Sequence, residues 1–565
     1  MKTHLSFRFM ASAAGTLALM LSCGHGYGQW EKGIVLRGTI CTMNDKLDVK
    51  KDGQVLIVGN KIVAVLEGNE AIPAAHKDAV VIKTDGYIFP GLMDIHNHPS
   101  YNILPLWQLT KTYRTRYAWG DDPSYRKAVR DPYNYLWSKK NYKSLLGLYA
   151  EAKAIAGGTT TIQGLTASNV YGKYLVRNAE LTNFSMDRIS DHVMKLGGLD
   201  DMDKLRNDLA SKLDAWFYHL AEGSDTAMRR ELYDLRDNGL NLDPVVGIHC
   251  TALGKEDFQF MKANHMSMVW SPLSNLILYG VTADLHSAKE NEILISLGSD
   301  WSPSGSKNVL WELKVAYLWN KNQLGHLFTP AEIVQMVTTN PAKTLKWEDK
   351  VGNVKEGMYA DLVLVEKKDN DPYMSLIRST EDDVELVIVD GRPYYGDVDI
   401  MQELIHASGG HGPKTVTDKL DHHKVIDIYH KDYNRITYDT MYTIVRTAMR
   451  GGGFPGGPAE PDPIYTGLDA EYFKRLWSVC PASLSAVELA AFVYPVGKAN
   501  TGAELRKSPG GALIATLAEG AEVIVIKMAS GRRRNWHEIL AKTGERIVAR
   551  GVVKKDQITI ASQPD

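Results

Sequence analysis

Cysteine is scarce. Four of 565 residues carry thiols, at Cys23, Cys41, Cys250 and Cys480. No two form a CxxC pair, which excludes a disulfide framework or a cysteine-built zinc site as the organising principle. Charge of one sign is lacking too: 65 lysines and arginines face 67 acidic residues, for a net charge of −2. So even a balance gives no bulk attraction to nucleic acid or to an anionic membrane. Long apolar runs are also missing. Residues 9–22, "FMASAAGTLALMLS", form a run too short to span a bilayer. No later segment is long and apolar enough to do so. What remains is ordinary globular material, 44% hydrophobic and 23% charged. The length exceeds what one core organises, so two or three domains are expected.

The short apolar run has a use. Lys2 and Arg8 precede it, and "GYGQ" at 26–29 offers a small-x-small cleavage site. This is the pattern of a secretory signal. Residues 1–28 are therefore expected to be removed, leaving a periplasmic or secreted chain with no transmembrane helix. Cys23, in "LMLSCG", leaves a lipid anchor open as the alternative.

Residues 30–90 read as short strands, with "QVLIVGNKIVAVLEG" a hairpin turning at Gly59-Asn60. From 91 to about 345, apolar strand-like runs alternate with longer helical stretches. "TTTIQG", "VVGIHC", "SMVWSP" and "ILISLGSD" are such runs, and the alternation predicts a parallel α/β region. Strands return in "YADLVLVE" and in "VELVIVDGRPYYG", which turns at Asp390-Gly391. The β-rich flanks can pair into one small domain. Beyond 401 the chain is polar, then helical in "YDTMYTIVRTAMR". "GGGFPGGPAEPDP" (451–463) reads as a linker, and 499–562 as a separate short β pattern.

The chemistry gathers at the ends of apolar runs. In "FPGLMDIHNHPS", His96 and His98 stand two apart and Pro99 stops the run. In extended backbone, i and i+2 face the same way, roughly 7 Å apart along the chain. The pair offers two imidazoles, half a metal site, at the strand end where α/β barrels build active sites. Chance occurrence among 17 histidines is the competing explanation. In "WFYHLAEG", His219 ends a run and Glu222 follows three residues later, close enough to handle protons. His249 ends "VVGIHC", and Asp300 ends "LISLGSD" before a Gly/Ser-rich loop. A core histidine and a turn aspartate would look the same singly. Together the four sites form a constellation.

These pieces, with "AGGTTTIQG", "GIHCTAL", "VWSPLSN", "TTNPAKTL" and "GNVKEGMYADLVLVE", resemble the amidohydrolase superfamily. The closest branch is that of cytosine, guanine and adenosine-type deaminases and triazine hydrolases. The resemblance covers about 33–396. It implies a distorted (β/α)8 TIM-like barrel with a small β-sandwich built from both flanks. The implied organisation is 1–28 signal, 29–90 and 349–400 sandwich, and 91–348 barrel. A helical segment and Gly/Pro linker at 401–463 and a helical connector at 464–498 follow. The resemblance further implies one divalent metal held by His96, His98, His219 and Asp300. Glu222 would shuttle protons, His249 would polarise water or substrate, and Asp300 would join them at the reacting centre. Zinc suits three imidazoles and one carboxylate, with iron and manganese open. Lys195 is a poor match to the bridging lysine of binuclear members, which favours a single ion.

Residues 101–142 form an insertion after the histidine pair, rich in aromatics and arginines. In a barrel it would overhang the pocket. Arg114, Arg116, Tyr117 and Trp119 are candidates for substrate contact, with Arg177 and Trp301 beside them; a self-packed cluster is the alternative. The tail, with "LRKSPG", Leu517, Gly520, Val523, Val525, Trp536 and "GVV" at 551–553, resembles a bacterial SH3 domain. Such modules bind cell-wall peptide or pack on their own enzyme. The expected function is hydrolysis of a non-peptide C–N bond in a small molecule, by opening of a cyclic amide or amidine or by deamination. The rival is an inactive scaffold that binds the cell envelope through its tail. A chain ending near Ala459 is expected to fold and remain active.

Overall fold

The computed structural model describes residues 33–560, apart from 140–141, 165–174, 187, 194, 199–200, 408–423, 429–436, 453–456, 464–491, 493–495, 502, 507–512, 528–535 and 544–545. The proposed signal and Cys23 therefore lie outside the described residues, as does most of the 464–498 connector. Among the described residues no helix is long and apolar enough to cross a membrane.

Both flanks of the α/β region enter one eight-stranded sheet. Val80–Pro90 lies at its centre, parallel to Ile34–Cys41 and antiparallel to Leu362–Val365. The two hairpins extend it, one at each side: Val49–Val58 with Lys61–Leu66, and Val384–Val389 with Arg392–Asp397. Central strands read as unbroken apolar runs because alternate residues enter different cores. Leu362, Leu364, Leu386 and Ile388 join Ile34, Leu36 and Ile88 on one face. Val363, Val365, Val387 and Val389 face the main core with Phe89. A sheet buried on both faces needs apolar residues of both parities.

The middle of the chain supplies parallel strands in two arcs. The first holds Leu92–Asp94, Thr159–Ile162 and Arg177–Asn178; the second holds Ile189–His192, Ala215–Leu220, Val245–His249, Ser267–Trp270 and Ile295–Leu297. The arcs meet beyond their strand ends. His98 N–H donates to Asp300 O at 2.9 Å, and Asp300 N–H donates to His96 O at 2.9 Å. Met93, Ile95, Phe217, Val246, Ile248 and Val269 fill the space between the arcs. Trp216, Tyr218, Met268 and Trp270, of opposite parity, pack outward in the main core.

The insertion at 101–142 is no loose loop. Its described residues include the helix Asp131–Ser138, and Trp107, Tyr125, Val129, Leu136 and Trp137 are buried. The end of the expected linker is also fixed. Asp462 accepts from Lys153 Nζ at 2.5 Å, and its carbonyl accepts from Tyr149 Oη at 2.7 Å. Lys153 is 0% exposed. Cutting at Ala459 would take the Asp462 carboxylate away from that buried ammonium, so the boundary moves past Pro463. Ahead of this segment, the helix Tyr438–Gly451 buries Met441, Val445 and Met449 in the main core. Its apolar residues recur every three or four positions, which gives it one core-facing stripe.

The tail residues from Val496 to Ile560 make a seven-stranded antiparallel sheet with a core of its own, including Leu505, Val523, Val525, Ile539 and Val553.

Candidate metal centre

Each candidate at the centre sits at or just past the C-terminal end of a strand of the parallel arcs. The strand Leu92–Asp94 stops before the histidine pair, and the two cross-links to Asp300 keep the backbone extended. The His96 and His98 rings lie 5.0 Å apart. Asn97 turns the other way and donates to Asp94 Oδ2 at 2.7 Å and Ser299 Oγ at 3.1 Å. Gly298 is required here, because a Cβ would come within 2.5 Å of His96 Cβ.

Left-handed backbone aims three of the strand tips. Ala221 has φ 51°, His249 φ 69° and Asp300 φ 62°. Val246 and Ile248 point into the inner core, so simple alternation would send His249 outward. The left-handed turn at His249 brings its ring within 4.9 Å of the His96 ring. Such conformations cost non-glycine residues about 1 kcal/mol or more each and persist only where the surroundings over-determine them.

The result is a ring of donors around His96. His96, His219 and His249 offer ligand atoms within 4.8 Å of one another, as do His96, His98 and Asp300. His96 Nε2, His219 Nδ1 and His249 Nε2 are buried with no hydrogen-bond partner. Leaving such atoms unpaired is costly; an ion would take the lone pairs of His96 and His219, while His249 Nε2 calls for an acceptor. His96 Nε2 and His98 Nε2 stand 3.4 and 3.5 Å from Asp300 Oδ1. Two ligands about 2.0–2.1 Å from one tetrahedral ion would stand roughly 3.4 Å apart, so the spacing fits zinc. Burial and then His96 push His98 down to about 4, with Asp300 pulling the other way. The same two causes hold His219 and His249 well below the ordinary histidine value. Burial would raise the Asp300 carboxyl, but His96 and its neighbours outweigh it and keep it well below the carboxylate range. Neutral imidazoles and an ionised carboxylate are the forms that bind metal.

Glu222 lies beside this cluster, 4% exposed. Burial pushes its carboxyl up to about 7, against the opposing charge of Arg116. Its Oε2 is 3.7 Å from His249 Nε2. Tyr279 Oη donates to its Oε1 at 2.5 Å. Asn275 Nδ2 donates to His249 Nδ1 at 3.3 Å, an arrangement that leaves the imidazole proton on Nε2, facing Glu222. Tyr279 and Asn275 escaped the sequence reading, although "VWSPLSN" ends on Asn275 and signalled the segment.

A cavity of about 320 Å³ opens over the cluster, lined by His98, His219, Glu222, His249 and Asp300, and by Tyr101, Arg116, Tyr117, Trp119, Tyr125 and Trp301. Four substrate candidates thus sit at the cavity: Arg116, Tyr117, Trp119 and Trp301. Two do not. The Arg114 side chain is 78% exposed and pairs with Asp225 outside the cavity. Its backbone carbonyl takes the N–H groups of Ser224 and Asp225, which turns the side chain to solvent. Arg177 is bound to Asp361 and Asp390, where the first arc meets the flanking sheet. Lys195 stands 4.3 Å above the Tyr117 ring and does not line the cavity.

Comparison with known proteins matches this architecture. Residues 209–394 match the model of the amidohydrolase family. A 5-methylthioadenosine/S-adenosylhomocysteine deaminase of Caldicellulosiruptor saccharolyticus is 24% identical over 422 residues, covering 64% of this chain and 93% of the relative. Among solved structures, a zinc-bound adenosine deaminase from Xanthomonas campestris shares the fold with a TM-score of 0.52 at 17% identity, over 67% of this chain and 97% of that one. A zinc complex of atrazine chlorohydrolase from Arthrobacter aurescens does so with a TM-score of 0.51 at 19% identity, over 66% and 99%. The matched segment spans the strand tips that carry His219, Glu222, His249 and Asp300, so this part of the chain is similar to the amidohydrolase family, and the chain is a hydrolase of carbon–nitrogen bonds.

Proposed function

We propose that this protein is a metal-dependent deaminase, acting on an amino-bearing nitrogen ring through one divalent ion, with zinc the best fit. The observation that carries the reading is the convergence of four imidazoles and Asp300, with buried unpaired nitrogens, next to a carboxyl poised near neutrality. His96, His98, His219 and Asp300 would hold the ion. Its chemistry is Lewis acidity, which makes water a nucleophile near neutral pH. Glu222 takes a proton from the attacking water and returns it to the departing nitrogen; a pKa near the working pH suits both transfers. The Nε2–H of His249 would orient the attacking water or polarise the substrate at the attacked carbon. Arg116 keeps its Nε–H without a partner while lining the cavity, and so offers the substrate a donor. The aromatic walls favour a flat ring and keep bulk water from the reacting centre.

Deamination is preferred over ring opening because the curated relatives bear deaminase names. The same reading takes the two arcs as one distorted (β/α)8 barrel and the tail sheet as an SH3-like module. It also takes residues 1–28 as an export signal.

The test is ammonia release by the purified full chain from 5-methylthioadenosine, adenosine, guanine and cytosine, beside hydantoins and acylated amino acids. Elemental analysis runs in parallel. About one equivalent of metal and ammonia from an aminated ring are expected. Glu222→Gln should keep the metal and lose about 10²-fold or more in kcat. Folded protein that binds no zinc would overturn the reading.

A further inference from the structure

We propose that Tyr279, steadied by Trp119 of the 101–142 insertion, is a positioning residue that fixes the rotation of the Glu222 carboxyl. The inference rests on the reading of Glu222 as proton carrier. A glutamate side chain ends in a torsion with broad, roughly two-fold preferences, so burial alone does not choose which oxygen faces the reacting centre. Here Tyr279 Oη donates to Oε1 at 2.5 Å, and Oε2 is left toward His249. The hydroxyl is held in turn: its oxygen accepts from Trp119 Nε1 at 3.2 Å. Tyr279 is 3% exposed and closes the helix Pro272–Tyr279, with Gly280 in the left-handed region at φ 71°.

The backbone points to the same arrangement. The insertion threads between the segment bearing Tyr279 and the segment bearing Glu222, and bonds to both. Tyr113 N–H donates to Leu278 O at 2.7 Å, and Arg116 N–H donates to Glu222 O at 3.2 Å. Thr115 pairs with Gly223 as an isolated antiparallel bridge. Gly223 has φ 149°, and a Cβ there would lie 2.3 Å from Arg114 O, so the approach is closer than any side chain permits. The insertion therefore sets Glu222 from two sides, by its main chain at Glu222 O and by Trp119 through Tyr279. A residue that only filled space would need neither the hydroxyl nor the indole N–H.

The test uses the full chain loaded with zinc alone. Tyr279→Phe removes one oxygen and should keep the fold and the zinc. Its crystal structure should show the Glu222 carboxyl spread over more than one rotation, where the wild type shows one. On a compound that the wild type turns over, kcat should fall about tenfold with KM nearly unchanged. Trp119→Phe, which leaves the Tyr279 bond to Glu222, should give a smaller loss of the same kind. A single, wild-type Glu222 orientation in Tyr279→Phe overturns the proposal. If Glu222→Gln turned over substrate at the wild-type rate, the proton-carrier reading would fail, while the orientation of Glu222 in Tyr279→Phe would still be decided separately.

Discussion

Arg116 and Arg177 are each 7% exposed and each bound to carboxylate, yet they serve different parts of the molecule. Arg177 makes three hydrogen bonds to two carboxylates. Its Nε and Nη2 donate to the two oxygens of Asp361 at 2.8 and 3.2 Å, and Nη2 also donates to Asp390 at 2.7 Å. The rings of Phe184 and Tyr359 lie 4.8 and 5.1 Å from its guanidinium. Its Nε and Nη2 edge joins the first arc to the flanking sheet. Arg116 donates to Glu231 at 3.1 Å and to the Val193 carbonyl, but its Nε has no partner. Burial and a carboxylate partner are thus common to both arginines; only Arg116 lines the cavity and keeps an unpaired donor.

Substitutions should widen that contrast. Arg177→Met leaves Asp361 buried without its countercharge and should cost about 3–5 kcal/mol in urea unfolding. A loss below about 1 kcal/mol would show that Asp361 finds another partner. Asp462→Asn should cost about 3 kcal/mol by the same mechanism, since the buried Lys153 ammonium loses that carboxylate. Pairing Lys153→Met with Asp462→Leu should recover most of it, measured by melting of the full chain. Arg116→Met should be milder for the fold, about 1–2 kcal/mol, because Glu231 still accepts from Tyr117 Oη and Ala221 N–H. Its effect should fall on KM for a turned-over compound. Arg114→Ala, which breaks an exposed pair, should leave stability and turnover unchanged, and a measurable loss in either would place Arg114 nearer the substrate than its contacts indicate.

The same contrast explains what the sequence could disclose. His96, His98, His219, His249 and Asp300 each end an apolar run, and the run is a local signal. The geometry that gathers them follows from parallel strands delivering their tips to one place. Arg177 carries no such signal. Its partners Asp361 and Asp390 are 184 and 213 residues away, and nothing near Arg177 announces them. Tyr279 is hidden for another reason. In "SNLILYG" it continues an apolar helix and reads as core, and only the loop carrying Glu222, 57 residues earlier, gives its hydroxyl a purpose. Asp462 sits among glycines and prolines that spell a linker, and its bond to Lys153 spans 309 residues.

That span has a consequence in time. The chain is made from its N-terminus, and Lys153 emerges long before its partner. At about 5–20 residues per second, the 309 intervening residues take roughly 15–60 s to synthesise. For that interval the helix Lys143–Ala156 carries a lysine that the finished fold hides completely. Lys153 also donates to Asn102 O at 2.9 Å, and the Asn102 amide group binds Asn97 Oδ1 and Ser302 N–H beside the metal centre. The ribosome therefore releases every candidate metal ligand well before it releases the aspartate that completes their support.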